Sequence, residues 1–164
     1  MKPGLKGIVA GALGLLVSAS AGAAVDSKIY PGSMCKPANS TVTSITTGAS
    51  DSGYLQNYNL TVGVTCPVVR DQVTGKTPAS AWVSIYDPST TNNVACYLYS
   101  SNSTAGTISF GSAFTSNAFK GTEVLQIMNI PTGTGWWDTL NVSCVVAPGG
   151  KIYAYNVDET LQTD

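Results

Sequence analysis

The sequence predicts an all-β protein, an antiparallel β-sandwich of jelly-roll or Greek-key type, alternatively immunoglobulin-like, with two disulfides. Three observations predict it. Short runs alternate apolar and polar residues with period two, as strands do when one face meets a core. Segments rich in Gly, Pro, Asn and Ser separate the runs and read as turns. Four cysteines follow an export leader, and an even count in an oxidising compartment implies two bridges.

The leader comes first. Lys2 and Lys6 give a positive start, Gly7 to Val17 is a short apolar run, and Ala21-x-Ala23 fits a cleavage site. The run is shorter than the roughly 20 residues a bilayer-spanning helix needs. Residues 1–23 are therefore read as a signal peptide of bacterial style, and residues 24–164 as a single β-sandwich domain, secreted or periplasmic. No later stretch reads as a membrane span, so no membrane insertion of the mature chain is expected.

The strands follow in order. Asp26 to Tyr30 reads as an edge strand ended by Pro31-Gly32. Tyr58, Leu60, Val62, Val64 and Cys66 alternate with Asn59, Thr61, Gly63 and Thr65, and Pro67 stops them. Ala81, Val83 and Ile85 mark the next strand, and Val94, Cys96 and Leu98 another. Asp87 to Asn93 between them reads as a polar hairpin loop. Thr107 to Phe110 is a short strand. Glu123 to Ile130 is a further one, although its apolar run also suits a helical turn. Leu140, Val142, Cys144 and Val146 pair as a hairpin with Lys151 to Val157 across Pro148-Gly149-Gly150. Thr160 to Asp164 reads as a tail.

Cys35, Cys66, Cys96 and Cys144 have three pairings open to them. Cys66 with Cys144 and Cys35 with Cys96 is preferred. The order Cys66, Trp82, Cys144 suggests the immunoglobulin pattern, but Trp82 is out of phase with Ala81, Val83 and Ile85. Val142 also stands where that fold's corner tyrosine belongs.

Composition narrows the function. The chain has 8 Lys+Arg, 9 Asp+Glu and no His, and two of the lysines lie in the leader. The remainder is weakly acidic and has no basic footprint, which argues against a nucleic-acid partner. Without His there is no Ser-His-Asp or Cys-His system. Bridged cysteines supply no thiolate. No C-x-x-C pair and no phosphate-binding Gly loop is present, so no metal and no cofactor is expected. Asp51, Asp71, Asp87, Glu123 and Asp138 are candidates for a carboxylate pair of the glycosidase kind. Each reads first as a turn or strand-end residue. Arg70-Asp71 reads as a local ion pair, and Asp87 to Asn93 lacks the Ca²⁺-loop pattern. The Asn-x-Ser/Thr sequons at Asn39, Asn59, Asn102 and Asn141 are matches expected by chance in so Ser/Thr-rich a chain.

Aromatic placement is the strongest binding signal. Trp82 and Tyr86 lie opposite Val83 and Ile85. Tyr97 and Tyr99 lie opposite Cys96 and Leu98, and Tyr153 and Tyr155 opposite Ile152 and Ala154. If these strands share a sheet, its outer face carries an aromatic stripe suited to a glycan or protein partner. Trp136 and Trp137 follow a Gly-rich loop and add candidate contacts.

Tyr30-Pro31-Gly32-Ser33-Met34-Cys35 just after the leader, Cys66-Pro67-Val68-Val69-Arg70-Asp71, Val94-Ala95-Cys96, Val142-Ser143-Cys144 and a Tyr-rich last strand form an arrangement along nearly the whole mature chain. It resembles small exported proteins of uncharacterised families in Gram-negative bacteria. The resemblance implies an exported, disulfide-linked β domain and assigns no catalytic residue. The expected function is a non-catalytic binding or surface-interaction module. The alternative is a structural subunit of an extracellular assembly, although Asp26-Ser27-Lys28 interrupts the apolar donor strand that strand donation needs. A small carboxylate-dependent hydrolase is the third reading.

Overall fold

The computed structural model describes residues 25–39, 45–47, 53–70, 79–102, 106–115, 120–132 and 138–160. The leader, Asp51, Asp71, the Trp136-Trp137 pair and residues 161–164 lie outside them. Among the described residues, eleven strands run in chain order: β1 (Val25–Pro31), β2 (Lys36–Pro37), β3 (Ile45–Thr47), β4 (Leu55–Asn57), β5 (Val62–Pro67) and β6 (Ala79–Asp87). They continue with β7 (Ala95–Asn102), β8 (Gly106–Phe114), β9 (Gly121–Ile130), β10 (Thr139–Val146) and β11 (Lys151–Thr160). A 3-10 turn, Gly32–Met34, links β1 to β2.

The pairing is nested. β7 pairs with β8, β6 with β9, β5 with β10 and β4 with β11, all antiparallel. A long double ribbon of this kind, folded over on itself, deals its strands alternately into two layers. One sheet runs β3-β4-β11-β6-β9, with β1 also on β11. The other runs β2-β5-β10-β7-β8. This is the jelly-roll order among the expected sandwiches, and the immunoglobulin alternative is set aside.

The alternation that predicts the strands also builds the core. Val64, Cys66, Leu98, Leu140, Val142 and Cys144 face inward from one sheet. Val83, Ile85, Leu125, Ile127, Ile152 and Val157 meet them from the other. Each such aliphatic side chain stabilises the fold by about 1.5–3 kcal/mol relative to exposure. Gly121–Ile130 is a strand, not a helical turn, because Leu125 and Ile127 alternate with exposed Val124, Gln126 and Met128.

Four expectations are corrected. Tyr58 and Leu60 are exposed and precede β5, because buried Asn57 turns the chain there. Its Nδ2 donates to the carbonyls of Leu60 and of Val146, the latter at 2.8 Å. Residues 87–93 do not close a hairpin but carry the chain from one sheet to the other. The Asp87 carboxylate fastens that crossing, accepting from the Ser89 N–H at 2.9 Å, the Val94 N–H at 3.3 Å and the Thr115 hydroxyl. β10 and β11 likewise lie in different sheets, so Pro148-Gly149-Gly150 turns between layers. There the Gly150 N–H donates to the carbonyl of buried Ala147 at 2.9 Å.

The fourth concerns the bridges, which are Cys35–Cys66 and Cys96–Cys144. Register decides this. Cys96 sits directly opposite Cys144, whereas Cys66 sits opposite Val142. Lys36 stands opposite Thr65, which brings Cys35 level with Cys66. Both bonds therefore join neighbouring segments within one layer.

Candidate functional site

The outer face of the β2-β5-β10-β7-β8 sheet gathers the aromatics. In β7, Cys96, Leu98 and Ser100 point into the core, so Tyr97, Tyr99 and Ser101 point out. In β8, Phe110, Ser112 and Phe114 take the outward phase. Gly111 takes the inward one, because any Cβ there would lie 2.7 Å from methyl groups of Ile127 and Ile130. Large residues face water in β8 because the other sheet approaches too closely for bulk inside.

Two rows of side chains cross this face. Pro67, Asn141, Tyr99 and Phe110 are successive partners across β5, β10, β7 and β8. Thr65, Ser143, Tyr97 and Ser112 form the next row, and Lys36 stands at its far edge. The rings touch one another. Tyr97 stacks on Tyr99 with centroids 5.8 Å apart, meets Phe114 edge-on at 6.0 Å, and Tyr99 lies 5.9 Å from Phe110. Phe110 and Phe114 are 63% and 57% exposed, far more than packing within one sheet would require. Beside the rings lies a shallow groove lined by Thr65, Tyr99, Ser101, Thr107, Asn141 and Ser143. The Ser143 hydroxyl donates to the Val64 carbonyl at 3.0 Å, which orients it along the groove wall.

β5, β10, β7 and β8 present no charged side chain on this face. The surface therefore offers flat apolar rings beside hydroxyl and amide groups. That combination suits a ligand with apolar faces and many hydroxyls.

The other predicted aromatics lie elsewhere. Trp82, Tyr86 and Tyr153 are half-buried on the outer side of the opposite sheet, so the expected stripe is divided between two faces. Tyr155 is in the core rather than on the surface. The register of β11 on β6 shifts between Ile152 and Ala154, so Tyr153 is an extra residue and the strand changes phase after it. Tyr155 then stacks on Tyr30 at 5.0 Å and donates its hydroxyl to the Pro67 carbonyl at 2.5 Å. Burial, and then Tyr30 beside it, raise its phenol above the usual 10.0. Phe110 and Phe114 are not among the contacts expected from sequence. Their signal was the alternation of Phe110, Ser112 and Phe114, hidden because their inward neighbours Gly111 and Ala113 are small.

Among the described residues, the candidate carboxylates Asp87, Glu123 and Asp138 do not converge on one open cleft. Glu123 stands diagonal to Asp87 on one side of the sheet. Asp87, however, is fully buried and takes its donors from the 87–94 crossing and Thr115. Asp138 is buried at the entry to β10. Arg70 reaches across the chain to Glu159, Nε to Oε1 at 2.9 Å, and its Nη2 donates to Thr132 at 3.3 Å. The expected neighbour Asp71 lies outside the described residues; among those described, this long-range pair engages the arginine.

No protein-family model matches the sequence, and no curated protein matches it. Among solved structures, the chain is similar to the CBM36-1 domain of a multidomain xylanase from the hindgut metagenome of Trinervitermes trinervoides. That likeness has 13% identity over 84% of this chain and 100% of that one, with a TM-score of 0.52. It is also similar to CsCBM6-3 from Clostridium stercorarium in complex with cellobiose, at 9% identity, 82% and 94% coverage and a TM-score of 0.46. A third similar structure is the carbohydrate-binding module CBM36 in complex with calcium and xylotriose. There the identity is 13%, the coverage 81% and 99%, and the TM-score 0.47. At these identities the likeness is one of fold, and the first of the three supports the two-sheet sandwich described above.

Proposed function

We propose that this chain is an exported, non-catalytic saccharide-binding module that holds a neutral sugar chain on the outer face of the β5-β10-β7-β8 layer. One observation carries the reading: Tyr97, Tyr99, Phe110 and Phe114 form a contiguous ring cluster, half exposed to water, beside a hydroxyl- and amide-lined groove. Pyranose rings present C–H faces that pack on such aromatics, while their hydroxyls pair with groups such as Asn141 and Ser143. Neither a basic nor an acidic group lies on these four strands' outer face, which favours an uncharged chain over an anionic one. The fold shared with a CBM36-1 domain of a multidomain xylanase is consistent with this reading. Export is supported by the leader sequence and by the two disulfides.

The test is binding to a panel of neutral polysaccharides, by affinity electrophoresis and calorimetry, with the mature chain and with Tyr97→Ala/Phe110→Ala. Binding that disappears in the double variant at unchanged melting temperature supports the site. A blank panel, or binding indifferent to the double variant, overturns it.

A further inference from the structure

The opposite face of the sandwich carries a second constellation that differs in charge. Gln56, Lys151, Tyr86 and Thr122 are successive partners across β4, β11, β6 and β9, so their side chains form one row on the outer side of that sheet. The Lys151 ammonium lies 5.0 Å from the Tyr54 ring centre and 6.0 Å from that of Tyr86. Tyr54 meets Tyr153 edge-on at 6.2 Å. Tyr153 is the extra residue of the β11 irregularity, and such bulges re-aim a side chain out of the regular alternation. Without the bulge, Tyr155 would lie on the surface and Ala154 in the core.

Lys151 is half-buried, and among the described residues no carboxylate pairs with it. The rings hold the ammonium by cation–π attraction. A charge-assisted hydrogen bond to a carboxylate is the stronger partner. The ammonium is thus positioned by aromatic rings, and among the described residues no anion meets it. Around it stand the phenols of Tyr54, Tyr86 and Tyr153 with the amide of Gln56, all able to hydrogen-bond hydroxyls.

We propose that the Lys151 row is a second saccharide site, specific for a uronate residue whose carboxylate pairs with the Lys151 ammonium while Tyr54, Tyr86 and Tyr153 contact the sugar ring. The site lies on the other sheet from the Tyr97–Phe110 face and does not depend on it. The two faces point away from each other, so an acidic and a neutral chain can be held at once.

The experiment is calorimetric titration of the mature chain with oligogalacturonate and with a glucuronate-containing oligosaccharide, alongside their methyl esters. Binding of at least one acid is expected, with the ester bound poorly and affinity falling as salt rises. Lys151→Gln weakens it by about tenfold, while Lys151→Arg retains it. Tyr97→Ala leaves it unchanged, which separates this site from the neutral-chain face. Absence of binding to both acids, equal binding of the esters, or affinity insensitive to Lys151→Gln overturns the proposal. If the Gln variant unfolds, the ester comparison and the Arg variant decide it.

Discussion

Cys96 and Cys144 face each other across the β7–β10 ladder with Cα atoms 4.1 Å apart. The bond spans a sequence separation of 48, a stretch that contains β8 and β9. It holds one layer together beneath the aromatic face, since Tyr97 follows Cys96 directly.

Removing that bond relaxes the unfolded chain more than it alters the folded one. The loop-closure estimate for a separation of this size is about 4 kcal/mol. Cys96→Ala/Cys144→Ala is expected to lower the urea midpoint by a corresponding amount while Cys35–Cys66 remains. An unchanged midpoint would show that the layer needs no staple.

The exposed phenylalanines should separate binding from stability. Phe110 is 63% exposed, so Phe110→Ala removes little core contact. Neutral-oligosaccharide affinity is expected to fall by about tenfold while the melting temperature barely moves. A large melting shift with intact binding would make Phe110 a packing residue.

Gly32 tests close packing in the opposite sense. A Cβ there would lie 1.9 Å from the Ile152 carbonyl oxygen. Backbone cannot yield as a side-chain tip can, so Gly32→Ala must displace the 3-10 turn from β11. Destabilisation of about 1–3 kcal/mol is expected in urea unfolding. A neutral result would show that the turn shifts freely.

Arg70 and Glu159 form an ion pair with both side chains almost fully buried. Glu159→Gln removes a buried carboxylate that pairs with Arg70 and, at 4.0 Å, with Lys28, and should cost about 3–5 kcal/mol. Arg70→Met/Glu159→Leu should recover much of that loss, because both buried charges are then gone. Equal loss in the single and double variants would contradict the desolvation account.

Tyr155 gives a pH prediction. Its phenol is raised in the folded state above the usual 10.0, chiefly by burial. Below pH 10 it is protonated both folded and unfolded, and its contribution to stability is complete. As pH rises past 10 the unfolded chain loses the proton first, so stability falls toward the raised folded value. Tyr155→Phe is expected to flatten this alkaline decline in chemical unfolding, after a constant loss of about 1 kcal/mol for the bond to the Pro67 carbonyl. An identical alkaline slope in both proteins would assign the decline to other groups.

Much of the layer structure is legible in sequence because one face of each strand must be apolar. Val62, Val64 and Cys66, or Ala81, Val83 and Ile85, announce both the strand and its inward side. β8 is not legible in this way. Its inward positions include Ala113 and Gly111, the latter kept without a side chain by the nearness of Ile127 and Ile130 on the other sheet. β11 misleads for another reason, since one extra residue at Tyr153 exchanges inside for outside beyond it.

The sequence by itself determined that the chain alternates into short strands and that Cys66, Cys96 and Cys144 lie in phase with the core. It also determined that Tyr97 and Tyr99 share the side opposite Cys96 and Leu98. These are local properties of a two-residue period. Tertiary structure alone decided which strands are neighbours, and so which cysteines bond, why residues 87–93 and 148–150 cross between layers, and why the aromatics divide between two faces. Pairing partners lie far apart along the chain, as β5 and β10 do, and are selected by how two sheets close over a shared core. No local pattern records that choice.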